Sequence, residues 1–176
     1  VYGKTADDIY AENTQPNPIH PYGKLHLLCE QEILESQKDH SLVIIRPTNC
    51  VGAPEHEDLG VQLKLLFLDS CKQAVEKGSI ELRSNGRGHR DFCAMNDMMS
   101  ALAHIMREIK RRRMAPLNVS SGQSTTTEEL AQLIARAALS TLGKTISIQL
   151  GTLTDTFENP IQVRHHQLEN FGWKPS

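Results

Sequence analysis

The stretch Pro21-Tyr22-Gly23-Lys24-Leu25-His26-Leu27-Leu28-Cys29-Glu30 decides how this chain is read. Proline suits the first turn of a helix, where its missing N–H costs nothing. Residues four apart share one helical face, so Tyr22 and His26 can offer a phenol and an imidazole to one ligand. A tyrosine ionises at about pH 10 and needs a nearby cation to trade protons near neutrality. The pair is therefore a candidate catalytic dyad. The competing reading is a tyrosine that packs at a helix start with its hydroxyl in water.

Working outward, the helix is expected to run from about Pro21 to Lys38, with Leu25, Leu28, Cys29 and Ile33 on an apolar stripe. Leu42-Val43-Ile44-Ile45 is a short, β-branched apolar run, as expected of a strand buried on both faces of a parallel sheet. Helix then strand is the alternation of a doubly wound α/β fold. Residues 1–21 read as irregular, because Pro16, Pro18 and Pro21 exclude regular helix. Downstream, Ala53 to Gly60 reads as loop, and Val61 to Lys77 as a helix ended by Gly78. Ile80 and Leu82 mark a short strand, and Arg90 to Ala94 another extended piece. Asn96 or Asp97 is expected to cap a helix running to about Arg113. Leu117 to Val119 and Ile146 to Leu150 read as strands. Thr125-Thr126-Thr127-Glu128 is a capping-box pattern opening a helix through about Leu142. A loop over Thr152 to Pro160 and a last helix over Ile161 to Asn170 complete the pattern.

Composition narrows the function classes. Hydrophobic content of 39% and charged content of 23% are those of an ordinary globular chain, and 176 residues allow one substantial core. A formal charge of −2 gives no general pull toward nucleic acid or anionic membrane. The basic run Lys110-Arg111-Arg112-Arg113 is read as a helix end complementing the dipole. No apolar run approaches the roughly 18 residues that span a bilayer. Cys29, Cys50, Cys71 and Cys93 form no Cys-x-x-Cys pair, so buried free thiols in a reducing, cytoplasmic setting are expected. No metal site is expected: His165-His166 lacks completing ligands, and His56-Glu57-Asp58 reads as solvated loop. Trp173 reads as packing.

Several strings recur in a fixed order. Val1-Tyr2-Gly3 opens the chain, and Arg46-Pro47-Thr48-Asn49-Cys50-Val51-Gly52 follows the apolar run. Gly86-Arg87-Gly88-His89-Arg90-Asp91-Phe92 precedes Asn96-Asp97; Leu117-Asn118-Val119-Ser120-Ser121-Gly122 and Phe171-Gly172-Trp173-Lys174-Pro175 come later. Together with Pro21 to Glu30, these resemble the extended short-chain dehydrogenase/reductases, the NAD(P)-dependent epimerases, dehydratases and reductases of nucleotide sugars. That resemblance implies an α/β chain: the C-terminal part of a doubly wound Rossmann-type fold plus a small α/β substrate-binding domain. Residues 1–52 would belong to the dinucleotide-binding domain and 53–176 mainly to the substrate-binding region, with 89–113 returning to the Rossmann core. The family's Gly-rich turn and a Ser or Thr ahead of the Val-Tyr-Gly string would lie upstream, so this stretch reads as part of a larger enzyme and is expected to be inactive alone.

The resemblance also implies site residues. Tyr22 would exchange a proton with a sugar hydroxyl while hydride moves between sugar and cofactor. His26 stands where the family has the lysine that binds the cofactor ribose and supports the tyrosine; Lys24, two residues from Tyr22, lies on another face. An imidazole can still donate to a ribose, but with a reference pKa of about 6.5 it is mostly neutral at pH 7. The backbone near Pro47 would meet the nicotinamide, and Asn49 the sugar nucleotide. Arg90 would grip the diphosphate, to which a guanidinium offers two parallel donors; a surface ion pair with Asp91 is its alternative. Arg87 is a weaker candidate, and Asp97 reads only as a cap. The function implied is an epimerase or dehydratase working through a 4-keto sugar with NAD or NADP. A keto-sugar reductase and a non-catalytic binding or regulatory module are the alternatives. Implied partners are a nucleotide sugar and a possible second copy, with neither nucleic acid nor membrane.

Overall fold

The computed structural model describes residues 1–36, 42–53, 65–108, 116–155 and 157–176. The expected loop after Ala53, the start of the helix at Val61, His56-Glu57-Asp58 and the Lys110 to Arg113 run lie outside them. The chain forms two compact units: Val1–Cys50, Asp91–Gln123 and Ile161–Ser176 make the first, Val51–Arg90 and Ser124–Pro160 the second.

In the first unit, β1 (Ile9–Tyr10) pairs in parallel with β10 (Gln162–Val163), and β2 (Ile45–Pro47) in parallel with β7 (Leu117–Val119). β3 (Asn49–Val51) lies beside β6 (Phe92–Ala94). Helices α1 (Pro21–Ser36), α3 (Met95–Glu108) and α5 (His166–Asn170) complete it. Its core is Cys93, Ala101, Ile105, Leu117, Val119, Leu168 and Trp173, so the tryptophan does pack as expected. Trp173 also donates its indole N–H to Ser100 Oγ at 2.9 Å.

In the second unit, β4 (Ser79–Glu81) runs parallel to β9 (Ser147–Gln149), while β5 (His89–Arg90) is antiparallel to β8 (Thr125–Thr126). Helix α2 (Leu66–Lys77) packs against β4 and against α4 (Thr127–Leu142). Gly78 ends α2 with φ +69°, the left-handed conformation that a side chain would resist. Ala74, Ile80, Leu82, Leu130, Ala131 and Ile134 are buried there.

Several expectations need correction. The capping box sits one residue later than read: Thr126 is the N-cap and Glu129 its partner, with Glu129 N donating to Thr126 Oγ1 and Thr126 N to Glu129 Oε2. The strand expected at Leu42 to Ile45 is shifted to β2, and its apolar residues are only half-buried. Residues 1–21 are not wholly irregular, since β1 pairs across the unit, and Ile161 to Asn170 is a strand followed by a five-residue helix. Asp97 lies inside the first turn of α3 rather than capping it; its Oδ1 accepts from the backbone N–H and the hydroxyl of Ser176.

Helix α1 lies uncovered. None of its sixteen residues is buried, and Leu25 and Leu28 are 59% and 57% exposed. The apolar stripe exists, but the first unit's core does not cover it; Cys29 is exposed with it rather than buried. A polar contact ties α1 to β2: Glu30 accepts three hydrogen bonds from Arg46, at 3.1 and 3.2 Å from Nε and 2.5 Å from Nη2. Arg46 also stacks 4.8 Å over the Tyr2 ring. Both partners of the ion pair are nearly enclosed, so removing one strands a desolvated charge. Glu30→Ala is expected to destabilise the chain by about 3 kcal/mol, and Glu30→Gln by less, read from denaturant unfolding midpoints.

Candidate active site

Three tyrosines could serve as an acid or base, and the first unit sorts them. Tyr2 donates its hydroxyl to Asn118 Oδ1 at 2.7 Å, and burial pushes its pKa up, so it is held as a neutral phenol. Tyr10 is 6% exposed and sealed from solvent. Tyr22, on the first turn of α1, is 68% exposed. Its ring lies 4.3 Å from the His26 ring, tilted by 53°. One helical turn thus does bring the phenol and the imidazole together. Neither side chain has a hydrogen-bond partner among the described residues, which leaves both polar edges available to a ligand. Tyr22 lines none of the three cavities described below, so enclosure of the dyad is not supplied by those walls.

Pro47 and Asn49 are both exposed and flank Thr48 where β2 gives way to β3. Asp91 organises this turn. It is 1% exposed; its Oδ1 accepts from Thr48 Oγ1 at 2.7 Å and from Ser121 N at 2.9 Å, and its Oδ2 from Gly122 N at 2.9 Å. Asn49 donates its side-chain amide to the Asp91 carbonyl at 2.9 Å. Part of Asn49 is thereby committed to structure, with its amide oxygen left over. Sequence reasoning took Asp91 only as a possible partner of Arg90. In fact its carboxylate is taken up by one hydroxyl and two backbone amides, so the ion-pair alternative for Arg90 falls.

His165, seen in sequence only as half of an unconvincing metal pair, is buried. Ser120 donates its hydroxyl proton to Val163 O, so His165 Nδ1, 2.6 Å away, must be the N–H that donates to Ser120 Oγ. The ring stands edge-on to Trp173. His165 and Val163 line a cavity of about 340 Å³ with Arg164, Glu169 and Lys174. Cys93 is no nucleophile either: burial first, then the charges of Cys50, Asp97 and Asp91, push its thiol up to about 11.

The second unit contains a larger cavity, of about 700 Å³, between α2, the end of β4 and the start of α4. That is an ordinary size for a small-molecule site. Leu66, Ser70 and Leu82 line part of its wall; Lys72, Lys77, Arg83 and Arg90 bring positive charge, and Asp69, Glu76, Glu81 and Asp155 negative. The guanidinium groups of Arg83 and Arg90 have no carboxylate partner among the described residues. Asp155 is engaged, accepting from Gly88 N at 3.0 Å. Gly88 has to be glycine for that approach, since a Cβ there would lie 2.5 Å from the Asp155 carboxyl carbon. Arg90 also lines a small neighbouring cavity of about 110 Å³ with His89 and Phe157. Arg87 lines none of these cavities.

Residues 1–119 match the NAD dependent epimerase/dehydratase family. The chain belongs to that family. Among curated relatives, UDP-arabinose 4-epimerase 1 of Arabidopsis thaliana is 23% identical over 93% of this chain and 43% of its own length. Probable UDP-arabinose 4-epimerase 3 of the same plant is 25% identical over 98% and 45%. The chain thus spans less than half the length of these curated relatives. RMD of Pseudomonas aeruginosa, solved with NADPH, superposes with a TM-score of 0.78 at 23% identity, covering 100% of this chain and 58% of that one. UDP-glucuronic acid 4-epimerase of Bacillus cereus, solved with UDP-glucuronic acid and NAD, gives 0.78 at 17%, covering 100% and 54%. The α/β class and the Rossmann-type assignment made from sequence are borne out by these superpositions. No helix among the described residues is long and apolar enough to cross a membrane.

Proposed function

We propose that this chain supplies the acid/base group and the nucleotide-binding cavity of an NAD(P)-dependent nucleotide-sugar epimerase or dehydratase that works through a 4-keto sugar. The first unit, with residues 1–50 and 91–123, is the cofactor side; the second, with its cavity, is the substrate side. The observation that carries the reading is the exposed Tyr22 phenol in contact with the His26 imidazole one helical turn away. When bound, the nicotinamide accepts and returns hydride. Tyr22 takes the proton of the sugar hydroxyl being oxidised and gives it back on reduction. His26 donates to the cofactor ribose and keeps the phenol oriented. The turn at Pro47 meets the nicotinamide carboxamide, Asn49 uses its free amide oxygen on the sugar, and Arg90 binds the diphosphate. The two free donors of Tyr22 and His26, side by side, suit a nicotinamide riboside.

Epimerisation is favoured over dehydration because the curated relatives are 4-epimerases. NAD is favoured over NADP because it accompanies the UDP-glucuronic acid epimerase, although RMD was solved with NADPH. A homodimer formed through α1 would cover Leu25 and Leu28. His26 itself favours a second reading, a binding module that has lost catalysis, since an imidazole stands at the position of the family's lysine.

His26→Lys separates the two readings. A fixed ammonium beside the phenol lowers its pKa, so turnover of nucleotide sugar by the enzyme carrying this chain should be preserved or rise. A loss of tenfold or more (about 1.4 kcal/mol) would show a site rebuilt around the imidazole. Absence of any turnover, in wild type and variant alike, would favour the binding module.

A further inference from the structure

Arg46 stands at a junction of the first unit. Its backbone belongs to β2 and leads directly into Pro47, the turn proposed to meet the nicotinamide. Its guanidinium reaches onto α1, where Glu30 accepts from both Nε and Nη2. The same guanidinium lies 4.8 Å over the Tyr2 ring. The Tyr2 hydroxyl is in turn held by Asn118, a fully buried residue of β7. One line of contacts thus runs from the sheet to the helix, through Asn118, Tyr2, Arg46 and Glu30.

Glu30 lies four residues beyond His26 and eight beyond Tyr22, so the three follow one another along one side of α1. None of the helix's residues is buried, so apolar packing contributes little to where that side lies. At its start the helix is tied only to its own lead-in: Lys24 N donates to His20 O, and Tyr22 N to His20 Nδ1. The Arg46–Glu30 pair is different in kind. A planar fork on a carboxylate fixes direction as well as distance. With side-chain exposures of 9% and 13%, both partners are largely shielded from competing water.

We infer that Arg46 is a positioning residue: through Glu30 it sets where the Tyr22 and His26 side chains stand relative to the turn at Pro47, and so to the nicotinamide. This rests on the nucleotide-sugar reading above. A phenol exchanges its proton only within hydrogen-bond reach of the sugar hydroxyl, and a shift of about 1 Å costs up to about 10²-fold in rate.

The test compares Arg46→Lys, Glu30→Gln and the double variant in the enzyme that carries this chain, by steady-state kinetics and by hydrogen exchange of the α1 amides. Each single variant should lower kcat about tenfold and leave KM for the nucleotide sugar within about threefold, because the cavity of the second unit is untouched. The double variant should fall no further than the poorer single, since both changes break one contact. Exchange in α1 should quicken about tenfold, the size of one charge-assisted hydrogen bond, with β7 unchanged. Trp173→Phe, which loses the bond to Ser100 away from α1, controls for general loss of stability: its unfolding temperature should fall while kcat stays within about twofold. Unchanged kcat in Arg46→Lys and Glu30→Gln would overturn the inference, as would additive losses in the double variant or an equal loss in Trp173→Phe. Unchanged α1 exchange in an active enzyme would overturn the clamp alone. A wild type that turns over no nucleotide sugar would overturn the nucleotide-sugar reading, and the catalytic part of this inference with it.

Discussion

Tyr22→Phe is expected to lower kcat of the enzyme that carries this chain by about 10³-fold while leaving KM for the nucleotide sugar within about threefold, the size of a lost general acid/base. The change deletes one oxygen from a side chain that is mostly in solvent and has no hydrogen-bond partner among the described residues. The fold should not notice it, so the thermal unfolding temperature serves as the internal control. The other two phenols cannot stand in for it. Tyr2 is bound to Asn118 with its pKa raised by burial, and Tyr10 is closed off from solvent. Steady-state kinetics against the sugar, at saturating cofactor, checks the split between kcat and KM.

The second large effect is expected at Arg90. Arg90→Ala should weaken UDP binding by roughly 10- to 100-fold, as loss of a charge-assisted contact to phosphate does. Arg90→Lys should recover only part of it, because an ammonium cannot make two parallel bonds. Asp91 does not compete for the guanidinium, its carboxylate being committed to Thr48, Ser121 and Gly122. The side chain is also exposed, so its removal leaves no desolvated partner and should cost little stability. Calorimetric titration with UDP measures the affinity. Loss of affinity with the unfolding temperature unchanged is the expected signature.

Legibility in the sequence followed the range of the interactions. The i, i+4 relation of Tyr22 and His26 depends on local backbone geometry alone, and it is realised as a ring contact. Gly78 as a helix terminator and Leu117 to Val119 as a strand are equally local. The capping box slipped by one residue because three threonines in a row offer interchangeable hydroxyls, and only the β5–β8 pairing decides which one caps. The role of Asp91 could not be read, since its partners lie 30, 31 and 43 residues away. The exposure of α1 was not legible for a related reason. An apolar stripe shows that a helix has something to bury, but not that this unit provides the cover. The cavity of the second unit likewise joins α2, β4 and α4 across some sixty residues of sequence, a juxtaposition no local pattern announces.

The central claim is that the Tyr22 phenol carries the proton when a sugar hydroxyl is oxidised. It is tested most directly by mixing the enzyme that carries this chain with NAD and a UDP-sugar in a single turnover, following the near-ultraviolet absorbance of reduced nicotinamide. A transient in the wild type that is slowed about 10³-fold in Tyr22→Phe is the predicted result. A transient of equal rate in the two proteins would contradict it.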